Sequence, residues 1–131
     1  MSDRARHRDG SAFEAVAGYS RAARAGSLIA VSGTAATAPD GSALAPGDAH
    51  GQATIAIERA LAAVEALGGT PQDVVRTRIL LAPGADWRGA TRAHAEAFAG
   101  IDPANTTWFV GGFIPEGVLV EIELDAVVGD G

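Results

Sequence analysis

Three carboxylates, Glu121, Glu123 and Asp125, alternate with apolar residues in the run Val118-Leu119-Val120-Glu121-Ile122-Glu123-Leu124-Asp125-Ala126-Val127-Val128. Strand side chains alternate between faces, so the acids point one way while Val118, Val120, Ile122, Leu124, Ala126 and Val128 enter a core. Water, a partner subunit or a ligand must meet the acidic face. Two arginines are placed to answer those charges: Arg21, two residues after Tyr19, and Arg78, near the middle of Val74–Leu81. Each suits either a bidentate grip on an anionic ligand or an ion pair with Glu121, Glu123 or Asp125 across a sheet.

Other apparent motifs dissolve. His94-Ala95-Glu96 has the H-x-E form of zinc deaminases, but the chain has no cysteine to complete that site. His94 is expected to pack beside Trp87 and Phe98. His7 and His50 have no partners at metal-ligand spacing, so no metal and no cofactor is expected. Gly33 and Gly111-Gly112 do not complete a phosphate-binding fingerprint, and there is no G-x-S-x-G elbow. Asn105-Thr106-Thr107 fits the N-glycosylation pattern, but a chain expected to have no export signal would not meet that machinery.

Charge narrows the partners. The formal net charge is −6, and all ten basic residues are scattered arginines, which argues against nucleic acid as a partner. The absence of cysteine excludes disulfides and thiolate chemistry. No run approaches the ~20 apolar residues of a membrane helix, so no membrane partner and a cytoplasmic location are expected. The length predicts a single domain over residues 13–131, preceded by a flexible tail over residues 1–12.

The elements that must position these residues follow from periodicity. Tyr19 to Arg24 and Ser27 to Ser32 form a hairpin pattern joined at Ala25-Gly26. From Ala49 to Leu67, Ile57, Leu61, Val64 and Leu67 recur at helical spacing with Ala60, and Gly68-Gly69 ends the helix. Thr70-Pro71-Gln72-Asp73 is a capped turn into a strand over Val74–Leu81. A second helix spans about Ala85 to Ala99, with Trp87, Ala90, His94 and Phe98 on one stripe. Strands over Thr106–Val110 and Val118–Val128 complete a β-β-α-β-α-β-β order. That is an α+β layer, one mixed sheet with two helices on one face. The uncovered face of so apolar a chain (47%) predicts a closed homo-oligomer.

Gly18-Tyr19-Ser20-Arg21-Ala22 with Gly26, Val31-Ser32-Gly33-Thr34, Asp73-Val74-Val75-Arg76-Thr77, Asp86-Trp87 with Phe98, Pro103-Ala104, Pro115, Leu119-Val120-Glu121-Ile122-Glu123 and Ala126-Val127 together resemble the RidA family, also called YjgF or L-PSP endoribonuclease. The match runs from residue 14 to 128. The resemblance implies a chorismate-mutase-like fold and a homotrimer whose sheets form a barrel, with small-molecule clefts between subunits. It implies hydrolysis of 2-imino or 2-enamino acids to 2-oxo acids and ammonia. It implies Glu121 as the group that orients or activates water. It further implies Tyr19, contributed across the interface, and the Ser32-Gly33 backbone as ligand contacts, with Trp87 as a cleft aromatic and Thr107 on the pocket floor.

One departure bears on substrate. The family's clamp arginine follows Pro-Ala, and Asn105 stands there. A neutral amide hydrogen-bonds a carboxylate without neutralising it, and truncating such a charge-assisted pair costs about 2–5 kcal/mol. Arg21 and Arg78 are candidates to replace the clamp. Alternation places Asn105, Thr107 and Phe109 on one face, assigned to the cleft, and Thr106, Trp108 and Val110 on the other, assigned to the core. Three functions follow: a hydrolase or deaminase for an imine, enamine or related labile metabolite with altered specificity; a trimeric ligand-binding or interaction protein without chemistry; and an endoribonuclease, which the acidic charge disfavours.

Overall fold

The computed structural model describes residues 4–129. Six strands form one mixed sheet in the order β1-β2-β3-β6-β4-β5, from Arg4–His7 (β1), Ala22–Ala25 (β2), Leu28–Ala35 (β3), Val74–Leu81 (β4), Ala104–Phe109 (β5) and Val120–Val127 (β6). Only the β4–β5 pair is parallel. Helices α2 (Ala49–Ala66) and α3 (Trp87–Phe98) cover one face, and a short α1 (Ala12–Ala17) precedes β2.

The expected elements form where periodicity placed them, with ends shifted by up to three residues. Two features differ. The stretch expected as a tail contains β1, which pairs antiparallel with β2 from Arg4↔Ala25 to His7↔Ala22, and its chain then turns into α1. Backbone pairing suffices there, because a strand at a sheet edge needs no apolar face. Met1–Asp3 of that expected tail, and Asp130 and Gly131 of the expected domain, lie outside the described residues.

The core lies between sheet and helices. Val120, Ile122, Leu124 and Ala126 of β6 are fully buried, joined by Ile29 and Val31 of β3 and Val74, Ile79 and Leu81 of β4. From α2 come Ala53, Ala56, Ile57, Ala60, Ala63 and Val64, whose small side chains let that helix sit close on the sheet. Buried Gln52 ties this layer to two loops. Its Nε2 donates to the carbonyls of Ala45 (3.3 Å) and Gly117 (3.0 Å), and its Oε1 accepts the Leu119 N–H (2.8 Å).

The opposite face carries Glu121, Glu123 and Asp125, with Leu28 and Val127 opposite each other in the ladder and each more than 40% exposed. Trp108 belongs to the same face, through its register with Leu80 and then Glu121. At 39% exposure it is not the core residue expected. The alternation along β5 holds, but neither of its faces enters the core: Asn105, Thr106, Trp108 and Phe109 are all exposed. Parallel pairing sets Asn105 beside Thr77 and Thr107 beside Ile79, on the helix side, where hydrogen bonds satisfy their polar groups.

Candidate functional site

β3 does not run regularly past β6. Val31 faces Leu124 and Thr34 faces Ile122, so Ser32 and Gly33 together oppose the single Glu123. This is a β-bulge, and bulges re-aim side chains beside functional sites. Here it brings the Gly33 backbone against Glu121. A Cβ on Gly33 would lie 2.6 Å from Glu121 Oε1, so only glycine leaves that space to the carboxylate. The Glu121 carboxyl accepts no hydrogen bond among the described residues. Its burial raises its pKa above the ordinary carboxylate value, the Arg21 charge opposes that rise, and Glu123 adds to it.

Around this carboxyl opens a cleft of about 940 Å³, walled by the segment from His7 to Tyr19, the β3 bulge, the loop over 37–41, Arg59 and Ala62 of α2, and Ile114-Pro115. Tyr19, Arg21, Ser32, Gly33 and Glu121 all line it. Ser32 Oγ is committed to the Ser20 carbonyl at 2.7 Å.

Arg21 is 6% exposed and already occupied. Its Nε pairs with Asp9 Oδ2 at 2.9 Å, Nη1 donates to the Gly33 carbonyl (2.7 Å) and Thr34 Oγ1 (3.2 Å), and Nη2 donates to Ser11 Oγ (3.3 Å). The guanidinium also lies 5.7 Å from the Tyr19 ring centroid. Its partner is thus Asp9, not an acid of β6, and it braces the bulge from behind. Buried Glu14 completes this frame by accepting the N–H groups of Asp9 (3.2 Å), Gly10 (2.9 Å) and Arg21 (2.9 Å).

Asp9 and Glu14 are functional-frame residues that sequence reasoning missed. The signal was present in Ser11-Ala12-Phe13-Glu14, a capping-box pattern whose glutamate reaches back to earlier backbone N–H groups. Arg78 follows the ion-pair alternative, with Nη1 at 3.3 Å from Asp125 and 3.6 Å from Glu123.

Asn105, Thr107 and Trp87 do not line this cleft. Asn105 Nδ2 donates to Thr77 Oγ1 at 3.0 Å, its Oδ1 accepts from Thr107 Oγ1 at 2.8 Å, and Thr77 Oγ1 lies 2.7 Å from His94 Nε2. With the Thr77 oxygen accepting from Asn105, its hydroxyl proton is free to reach a neutral His94 ring. Burial lowers the His94 pKa, which favours that neutral form. The His94 ring packs against Phe98, one of its two expected neighbours, with centroids 4.7 Å apart, and lines a second cavity of about 420 Å³ with Phe98, Asp102 and Pro103. Trp87 is exposed at the start of α3, with the Arg88 guanidinium 4.5 Å from its ring centroid. Among the described residues no group of three or more His, Cys, Asp or Glu side chains could hold a metal.

With this geometry in place, comparison with known proteins decides the lineage. The Endoribonuclease L-PSP family profile matches residues 9–128. The chain belongs to the Endoribonuclease L-PSP family. An uncharacterized protein of Streptomyces coelicolor is 36% identical over 124 residues, covering 95% of this chain and 92% of that protein. The crystal structure of Rv2704 from Mycobacterium tuberculosis, a member of the YjgF/YER057c/UK114 family, is 39% identical with a TM-score of 0.85, covering 95% of this chain and 99% of that one. The E. coli YjgF gene product shares the fold at 23% identity and a TM-score of 0.76, covering 97% of this chain and 98% of that chain. The RidA/YjgF resemblance and its chorismate-mutase-like fold therefore hold. Within this L-PSP family domain, one protomer gathers Tyr19, Arg21, Ser32, Gly33 and Glu121, and keeps Trp87, Asn105 and Thr107 apart from them.

Proposed function

We propose that this protein is a small-molecule hydrolase that deaminates an imine, enamine or related labile metabolite at clefts completed by assembly into a homotrimer. The observation that carries this reading is the Glu121 carboxyl, half-buried over the Gly33 bulge with its pKa raised. A carboxyl whose pKa is raised holds and returns a proton more readily than an ordinary one, and so can serve as base and then acid. Glu121 takes a proton from water as the water oxygen bonds to the imine carbon. That proton goes to the nitrogen, giving a carbinolamine; Glu121 then takes the hydroxyl proton and passes it to the amine, and as the carbonyl forms the C–N bond breaks and ammonia leaves. No cofactor enters this chemistry. Half-exposed Leu28, Val127 and Trp108 on the acidic sheet face support burial of that face by further copies of the chain. A second copy is also what would carry Trp87, Asn105 and Thr107 to a Glu121 cleft. No described helix is long and apolar enough to cross a membrane, which fits a cytoplasmic role.

The test is Glu121→Gln. Ammonia release from imino acids generated in situ by an amino-acid oxidase should fall to the uncatalysed rate, with the oligomer unchanged on sizing. A variant as fast as the parent sinks the assignment.

One observation favours a second reading, a trimeric metabolite-binding protein without chemistry. The Asn105 amide is spent on Thr77 and Thr107, so the position of the family's clamp is a structural tie. That reading fails if any freshly generated imino acid is turned over above background. The nuclease activity in the family's name is disfavoured by the net charge of −6. RNA cleavage that tracks the trimer through further purification would restore it.

A further inference from the structure

The anion grip missing at Asn105 has a counterpart elsewhere in the cleft. Arg59 projects from α2 into the same cavity as Tyr19, Ser32, Gly33 and Glu121. Two other charged groups in that cavity are already paired, Arg21 with Asp9 and Glu123 with Arg78. Arg59 has no carboxylate partner among the described residues. Of the five N–H donors of a guanidinium, one is engaged, through Nη1 to the Ala35 carbonyl at 3.0 Å.

That single bond orients the side chain. Ala35 is the residue directly opposite Glu121 in the β3–β6 ladder, so the guanidinium is tethered to the strand that carries the bulge. The Nε and Nη2 donors stay available on one edge, the fork geometry that receives two carboxylate oxygens. The nearby wall is made of small residues, Thr37, Ala38 and Gly41, with Ala62 on α2, which leaves room for a ligand carboxylate beside the fork.

We infer that Arg59 is the anion-binding residue of this cleft, so that the ligand is a small carboxylate whose acid group lies at the α2 wall and whose reacting carbon lies towards Glu121. The inference takes its cleft from the proposed hydrolase, and it relocates the carboxylate site rather than removing it. Arg59 acts in binding, and the chemistry stays with Glu121.

The experiment uses the full-length protein with 2-oxobutanoate as the probe and its methyl ester as the uncharged control, by isothermal titration. Arg59→Gln should weaken 2-oxobutanoate about tenfold or more and leave the ester unchanged. Arg59→Lys, which keeps the charge and loses the fork, should fall between the two and serves where the Gln variant melts early. The inference is overturned if Arg59→Gln binds the oxo acid as the parent does, if both ligands weaken equally, or if the parent does not prefer acid to ester. Glu121→Gln separates the two proposals. It should retain Arg59-dependent binding of the oxo acid while losing turnover. A parent that binds the oxo acid through Arg59 yet releases no ammonia sinks the hydrolase and leaves the carboxylate site standing.

Discussion

Gly33→Ala probes whether chemistry depends on where the bulge puts Glu121. The added Cβ would lie 2.6 Å from Oε1 and 3.7 Å from the carboxyl carbon. Ordinary van der Waals contact begins near 3.4 Å, so the oxygen must retreat by about 0.8 Å. The obstacle is the free end of a side chain, and alanine tolerates extended strand backbone. An off-rotamer glutamate costs about 0.5–1.5 kcal/mol, offset by about 0.5–1 kcal/mol from replacing a strand glycine. Stability should therefore hardly change, with Tm within about 4 °C of the parent. Turnover should respond strongly, because a displacement near 1 Å at a reacting group costs on the order of 10²-fold. Ammonia release measures this, with circular dichroism melting on the same samples. A double-mutant cycle makes the test strict. In the Glu121→Gln background, Gly33→Ala should cause no further loss, since its effect passes through that carboxyl. The reasoning is refuted if Gly33→Ala alone stays within about threefold of the parent, or if it slows both backgrounds by the same factor.

Further expectations concern stability. Glu121 has a raised folded pKa, so its contribution is fully present below its unfolded value near 4.5 and is lost as pH rises through the folded value. Glu121→Gln should therefore match the parent in urea melts at pH 4 and exceed it at pH 8; equal gaps at both would contradict the burial account. Gln52→Leu strands the Gly117 carbonyl and the Leu119 N–H, while the Ala45 carbonyl keeps the Asp48 N–H, and should cost about 2–4 kcal/mol in denaturant unfolding. Thr77→Val removes the oxygen shared by Asn105 and His94, and should cost about 1–3 kcal/mol in the same assay. A neutral result there would mean that the Thr107–Asn105–Thr77–His94 chain adds nothing to the fold.

The legible parts of the molecule were those that a local period dictates. The spacing of Ile57, Leu61 and Val64 marks α2, Gly68 at φ 92° stops it, and alternation along β6 sorts Ile122 and Leu124 from the acids. The same logic brought Tyr19, Arg21, Ser32, Gly33 and Glu121 to one cleft through their family match. What escaped was set by pairing between distant segments. β1 has no apolar face, so Arg4-Ala5-Arg6-His7 gives no period to detect, and its partner β2 lies beyond α1. Arg21 finds Asp9 twelve residues away, through a segment expected to be loose. Alternation of β5 was evident, but its phase depends on the parallel register with β4, which sets Asn105 against Thr77. The family resemblance and strand alternation pointed those residues to the cleft. In the folded chain Asn105 bonds Thr77 and Thr107 within one protomer.

The outer strand β1 has a further consequence. A sheet edge offers a row of unpaired backbone groups on which a foreign strand can grow. Here that edge carries Arg4 and Arg6, two residues apart and therefore on one face of the strand, both exposed. Two such edges brought together would set like charges side by side, and a flat apolar intruder would find no complementary surface. A short basic edge strand therefore discourages strand addition, so neutralising Arg6 should lower solubility before it lowers the stability of the fold.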